Sequence, residues 1–429
     1  MDTLPTQALV RFGLGRRGQE PLPSDPAAWL RQQLMQPDRG LIDPRPSTAD
    51  GLGTLRDDRL NRPPPGESRS RALYRAQGVA ELANALTTPA PFRERLVWFW
   101  TNHFTVSLRR GACAAVAGAF VEEAIRPHVT GRFEDMLIAV MRHPAMLLYL
   151  DNAGSVGPDS RAGRHAHRGL NENLARECLE LHTVSPASGY TQADVTSFAK
   201  ILTGWSIDLR ADPPGFRYRP AAHEPGEQTV LQQRFPPDEA GGLAALRFLA
   251  AHPATHRFLA GKLVRHFVAD DPTPDDVRRI EGVLRDTGGN LGAAASALVG
   301  LEAAWQPAAK LRTPQDYVIA GFRALDVEPA TSPRLLRILA GLGQPLWVAP
   351  APNGWSDRAA DWSAPESMMR RIDWAYGFSG RIGARDALAL AEDNLGPLLR
   401  AETLTAMRRA GSRREALTLL LTSPEFQRR

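Results

Sequence analysis

The chain has 429 residues, 43% hydrophobic and 23% charged, with a formal net charge of +5, enough apolar content for a sizeable core and enough length for two or three subdomains. Lysine occurs only at Lys200, Lys262 and Lys310, so arginine supplies nearly all of the 52 basic residues, interspersed with 47 acids. That scatter argues against a nucleic-acid partner, whose surface needs clustered cations with stacking aromatics.

Periodicity predicts a mainly α protein, a multi-helix bundle-like unit with a small antiparallel β-sheet insert around 205–235. Residues 1–36 form an N-terminal helical segment, in which "SDPAAWLRQQLMQ" has Asp25 as N-cap and Pro26 at the first helical position. Residues 37–69 are rich in Pro, Gly and Arg and read as a long surface loop. A helical core follows over 70–204, with helices expected at Arg71–Leu86, Pro91–His103, Ala114–Ile125, Phe133–Leu150, Leu170–Val184 and Gln192–Thr203. "GWSIDLR", "GFRYRP" and "QTVLQQRF" then alternate between Pro/Gly turns and supply the sheet of 205–235. The region 236–429 returns to helices, interrupted by "GQPLWVAPAPNGWSD" around Trp347 and Trp355.

"RHPAMLLYL" and "AHPATHRFL" share an H-P-A start, and "TSPEFQRR" is a looser relative. A capping residue before proline starts a helix, so the similarity reads as shared capping grammar rather than duplication. "GLGRRG" satisfies G-x-G-x-x-G, but the prolines of "QEPLPSDP" forbid the helix a dinucleotide fold requires there. Cys113 and Cys178 form no C-x-x-C, so neither a disulfide framework nor a thiolate zinc site is indicated. "MDTLPTQALVRFGLGRRGQE" has no signal-peptide pattern, and no stretch reaches transmembrane length. A cytoplasmic protein without a membrane span is the expectation.

All ten histidines fall between His103 and His266, which places any histidine chemistry in the middle of the chain. His103 sits in the stripe of Phe92, Leu96, Phe99, Trp100 and Phe104, either as a core histidine or as the floor of a site. Asn102, beside it and off the stripe, can bond a neighbouring loop. In "GLNENLARECLELHTVS", Leu170, Leu174, Cys178 and Leu181 form the apolar stripe. Asn173 and Glu177 border it on one side and His182 on the other, while Glu172, Arg176 and Glu180 step by four as an ion-pair ladder. A carboxylate such as Glu177 at the edge of a buried stripe needs an arginine, a histidine or a metal as partner. Thr191 with Asp194 fits a capping box, and Gly204 is a C-terminal stop. Trp205 opens the sheet, and His223 beside Glu224 lies on its loop, as a functional residue or an exposed turn.

These blocks resemble the bacterial domain-of-unknown-function 1800 family. The resemblance is carried by "RERLVWFWTNHFTVS", "HPAMLLYLDNAGSVGP", "GLNENLARECLELHTVSPASGYTQADVTSFAKILTGWSI", "HEPGEQTVL", "AAHPATHRFLAGKLVRHFVADDP", "GLGQPLWVAPAPNGW" and "LLLTSPEFQRR". It implies a predominantly helical bacterial protein, exported in many members, and assigns no activity and no catalytic residue. Cys178 departs from the aliphatic usual there, and His165 and His167 look peculiar to this chain.

Two functional expectations follow. In the first, an enzyme joins the Asn102–His103 helix, the Asn173–Glu177 helix and the His223 loop. Glu177, Glu180 and His103 would be catalytic, and Asn102, Asn173, Arg176, Trp205 and His223 would bind a small-molecule or polymer substrate. A possible divalent metal, zinc, iron or manganese, would sit on His103, Glu177 and His182. Without one, Glu177 as acid with an ionised Glu180 or Glu172 would suit hydrolysis of a glycosidic or similar bond. In the second, Glu177, Arg176 and His103 form a buried structural network in a binding or scaffold protein, with Trp347 and Trp355 as a partner platform or as core plugs. Haem on His103 is a minor alternative.

Overall fold

Local capping chemistry starts many of the helices. Asp25 accepts the Ala28 N–H at 2.9 Å, with Pro26 in the first turn. Thr191 and Asp194 form the capping box, each side chain bonding the other's backbone. The H-P-A repeat is one device used again: His143 Nδ1 accepts from the Ala145 N–H and His252 Nδ1 from the Ala254 N–H, both at 3.1 Å. Ser423 Oγ does the same for Phe426 at 3.2 Å. Each of the three precedes a proline, whose missing N–H costs nothing at a helix start.

The computed structural model describes residues 3–429 apart from 41, 44, 65, 166–168, 308–309, 328–333 and 383–384. Helices dominate, as the periodicity predicts. The β insert is antiparallel and split into two hairpins: Trp205–Asp208 with Gly215–Tyr218, and Gln228–Val230 with Gln233–Phe235. Gly204, at φ +80°, makes the turn into the first; a Cβ there would meet the Arg219 carbonyl at 2.7 Å. Among the described residues no helix is long and apolar enough to cross a membrane.

Three expectations are corrected. Residues 37–69 are not all loop, because Thr48–Asn61 is a helix capped by Ser47. Its periodicity is weak: Leu52 and Leu55 are its buried apolar side chains, and flanking prolines dominate the local signal. The helix expected over Phe133–Leu150 breaks at His143, since Pro144 has no N–H to continue it. The segment expected as one helix over Leu170–Val184 is α only across Asn173–Glu177, then widens into a π turn, Cys178–His182. A π turn holds more residues per revolution, so side chains beyond Cys178 leave their α-wheel positions.

The apolar side chains gather into two clusters. One centres on Phe92, Trp100, Phe104, Phe133 and Phe267, the other on Tyr317, Phe378, Leu417 and Phe426 with Leu82 and Leu86 from the N-terminal half. The Pro91–His103 helix gives most of its apolar face to the first, while Trp98 packs on the second. Trp347 touches both, marking a seam between them.

Candidate functional site

His103 ends the Pro91–His103 helix and is 1% exposed, with the rings of Phe104 at 4.5 Å and Trp100 at 5.3 Å. Its Nε2 donates to the His182 carbonyl at 3.2 Å. Burial holds its pKa well below the usual value, and the neighbouring charge of Lys262 adds to the effect. This is a packed, neutral core imidazole, and the haem reading meets a ring already enclosed by aromatics. His182 lies beside it, ring centroids 5.9 Å apart, and burial lowers its pKa to about 3.

Glu177 does not join these two histidines. It is half-buried, and burial followed by the like charge of Glu180 raises its pKa, with Arg176 opposing. Among the described residues no group of three or more His, Cys, Asp or Glu side chains could hold a metal ion. The His103–Glu177–His182 set is therefore not assembled as a metal centre. The widened turn at Cys178 brings His182 under Phe104, at 5.0 Å, while Glu177 stays with Glu180 on the partly exposed side.

The remaining expected site residues disperse. Arg176 pairs with Glu172 at 2.9 Å, the ladder contact expected, and also bonds Gln192. Glu172 takes Thr196 Oγ1 at 2.6 Å, so this is a solvated polar face and not a buried network with His103. Asn173 is exposed. Trp205 is fully buried and packs edge-on to Phe216 at 5.8 Å. His223 is a buried joint rather than a loop-borne reactive group, its Nδ1 donating to the Thr203 carbonyl at 2.8 Å. Glu224 beside it pairs with Lys200 at 3.1 Å. His165 is exposed and bonds the Arg161 carbonyl, whereas His167 lies outside the described residues.

Of the expected catalytic and substrate-binding residues Asn102 alone lines the cavity at the seam, where Trp347 and Trp355 of the expected platform also lie. Asn102 Nδ2 donates to the Trp355 carbonyl at 2.8 Å and its Oδ1 accepts the Trp355 N–H at 2.7 Å. These bonds hold the Trp347–Asp357 loop against the helix, and the cavity between them offers about 90 Å³ to water and is partly open to solvent. Trp98, Thr101, His266, Asp316, Asp357 and Arg429 also line it.

His266 comes from the last turn of the Pro253–Phe267 helix, and its Nδ1 meets Asp357 Oδ1 at 2.6 Å. Its Nε2 is buried and has no hydrogen-bond partner among the described residues. Burial lowers the His266 pKa to about 4, Asp357 opposing and Arg429 assisting. Burial also pushes Asp357 up, but His266, Lys310 and Lys262 overcome it and bring the carboxyl down to about 2. The pair is thus a neutral imidazole on an ionised carboxylate. With Asp357 accepting from Nδ1–H, Nε2 is left as a bare proton acceptor. Lys310 bonds Asp270 and the Asp357 carbonyl, fixing the base of the loop. Opposite, Asp316 receives Arg95 through two bonds, 2.6 and 2.9 Å, and Arg429 Nε lies 2.7 Å away. Burial raises Asp316, and the guanidiniums of Arg95 and Arg429 more than reverse it, holding it well below the carboxylate range.

The family model described as a protein of unknown function, DUF1800, matches residues 7–428. The chain belongs to the DUF1800 family. Comparison with curated proteins and with solved structures gives no match. In this DUF1800 chain the residues that sequence reasoning missed are His266, Asp357, Asp316, Arg95 and Arg429. His266 and Asp357 are 91 positions apart, and Arg95 and Asp316 are 221 apart. The one usable signal was that "KLVRHFVADDP", with His266, stands among the family blocks, and that Asp357 follows two residues after the block ending "NGW".

Proposed function

We propose that this DUF1800 chain is an enzyme that moves a proton on a small polar molecule bound in the seam cavity. His266 Nε2 is the general base, Asp357 orients the imidazole, and the tryptophans of the wall exclude water and pack against the substrate. The observation that carries this reading is the 2.6 Å His266–Asp357 contact with a buried, unpartnered Nε2 at the cavity. A neutral, oriented imidazole is suited to take a proton from a bound water or a substrate hydroxyl, and such a base contributes about 10²–10⁴-fold. The cavity's apolar wall with a few convergent polar groups is the usual character of a small-molecule site. Hydrolysis of a polar bond is the reaction class favoured, with proton transfer assigned to His266 as base in place of a Glu177 acid.

The test is a screen of the purified chain against chromogenic esters, phosphoesters, amides and glycosides, repeated with His266→Asn and Asp357→Asn. Turnover should fall by about 10²-fold or more in His266→Asn, with the melting temperature kept. Turnover indifferent to both substitutions would move the chemistry elsewhere. A cavity that binds ligands without any turnover would make this a binding protein.

A further inference from the structure

We infer that the ligand of the seam cavity carries an oxyanion group, a carboxylate or a phosphate, and that Arg429 holds it. The inference deepens the proton-transfer reading by naming the chemical class that the same cavity takes. Three guanidiniums, those of Arg95, Arg312 and Arg429, act on the single carboxylate of Asp316, and all three side chains are buried. Burial lowers Arg312 and Arg429 only to about 10, so both keep their charge at neutral pH. The other acids nearby are already engaged. Asp357 holds His266 with Lys310 and Lys262 close, and Glu81 faces Arg126 at 3.3 Å. At Asp316 three guanidiniums thus share one carboxylate, and buried guanidinium donors are costly to keep unless oxygen acceptors meet them.

The donors point the same way. Arg429 lines the cavity at 1% exposure, and its Nη1 finds no hydrogen-bond partner among the described residues. Trp98 Nε1 and Thr101 Oγ1, on the same cavity wall, are also buried and unpartnered. Buried donors are normally satisfied, so several of them around one cavity, next to guanidinium charge, describe a receptor for an oxygen-rich anion. A cation would meet repulsion from Arg429, whose Nη1 is the charged donor left open at the cavity.

The experiment is calorimetric titration of the full chain with sodium acetate and, separately, with inorganic phosphate, at ionic strength held constant with sodium chloride. Wild type, Arg429→Gln and Arg429→Lys are compared. At least one anion should bind wild type, and Arg429→Gln should weaken it by about tenfold or more, the scale of a charge-assisted bond. Arg429→Lys should recover part of the loss. Phosphate alone binding identifies a phosphoryl ligand, and acetate alone a carboxylate. The inference is overturned if neither anion binds folded wild type, or if Arg429→Gln binds as wild type does. Should Arg429→Gln not fold, hydrogen exchange on wild type with and without anion decides. Slowing over 95–106 and 345–357 supports the site, and slowing confined elsewhere overturns it. The two readings fail separately. Anion binding without any turnover removes the proton-transfer role and keeps the oxyanion site, whereas His266-dependent turnover without anion binding does the reverse.

Discussion

Asn102 and Trp355, 253 positions apart, grip each other's polar groups in both directions, side-chain amide to backbone, at 2.7 and 2.8 Å. Gly354, at φ +77°, makes this approach possible; a Cβ there would stand 2.5 Å from the Asn102 carbonyl. Two turns of local structure thereby close one wall of the seam cavity. Asn102→Ala removes both bonds and leaves the Trp355 N–H and carbonyl unsatisfied. We expect a loss of about 1–3 kcal/mol in urea-induced unfolding, with weaker anion binding because the loop that carries Asp357 is released. Unchanged stability would mean that the loop is held by Trp packing alone.

Acid should destabilise the fold over a window that histidines define. Seven of them, including His103, His143, His182 and His266, are displaced downward, burial being the first cause in each. Below an unfolded pKa near 6.5 the unfolded chain binds protons that these buried rings refuse, so stability is complete above that value and falls as pH drops toward about 4 for His266 and about 3 for His182. Glu81 and Glu177, raised chiefly by burial, slope the other way but are fewer. Asp357, with a folded pKa near 2, adds its loss only at lower pH. Melting temperatures measured from pH 7.5 to 4.5 should decline steadily below about 6.5; a flat profile would show that the rings are protonated in place.

A second buried charge cluster lies under the Arg69–Thr87 and Pro91–His103 helices. Arg126, 1% exposed, takes Glu94 and Glu122 at 2.7 Å and Glu81 at 3.3 Å. Burial lowers the Arg126 pKa, and the three carboxylates outweigh that and raise it. Replacing Arg126 by Met strands several carboxyls in the core. The expected cost is about 3–5 kcal/mol by denaturant unfolding. A cost under about 1 kcal/mol, the range of exposed pairs, would show that water reaches the cluster.

Glu177→Gln separates the original site from the cavity. The side chain is half-buried beside Glu180, whose like charge helps raise its pKa. Gln keeps the shape and removes the repulsion, so stability should change by no more than about 0.5 kcal/mol and turnover should persist. Activity lost in folded Glu177→Gln protein would return the chemistry to the Asn173–His182 segment.

Much of the fold was legible because its causes are local. Asp25, Thr191 with Asp194, and the H-P-A starts act within three residues of themselves, and periodicity marked the helices they begin. The Asn102 contact to a neighbouring loop was legible too, since an amide off an apolar stripe has to bond something. The Thr48–Asn61 helix was hidden because its buried leucines are few, and the π turn at Cys178 because a wheel assumes constant pitch. His223 shows the same limit: its neighbours in sequence fitted an active loop or an exposed turn equally, whereas the Thr203 carbonyl that satisfies it becomes adjacent only after folding.

By itself the sequence determined the helical class, several helix starts, the antiparallel insert and the family, all of which depend on spacing, capping and pattern along the chain. Tertiary structure alone decided the candidate site. It set His266 against Asp357 and gathered Arg95, Arg312 and Arg429 around Asp316, while leaving Glu177 away from His103. The physical reason is that desolvation and charge pairing depend on distance in space. Residues tens to hundreds of positions apart acquire altered proton affinities and unpartnered donors only when the two apolar clusters meet and form the seam between them.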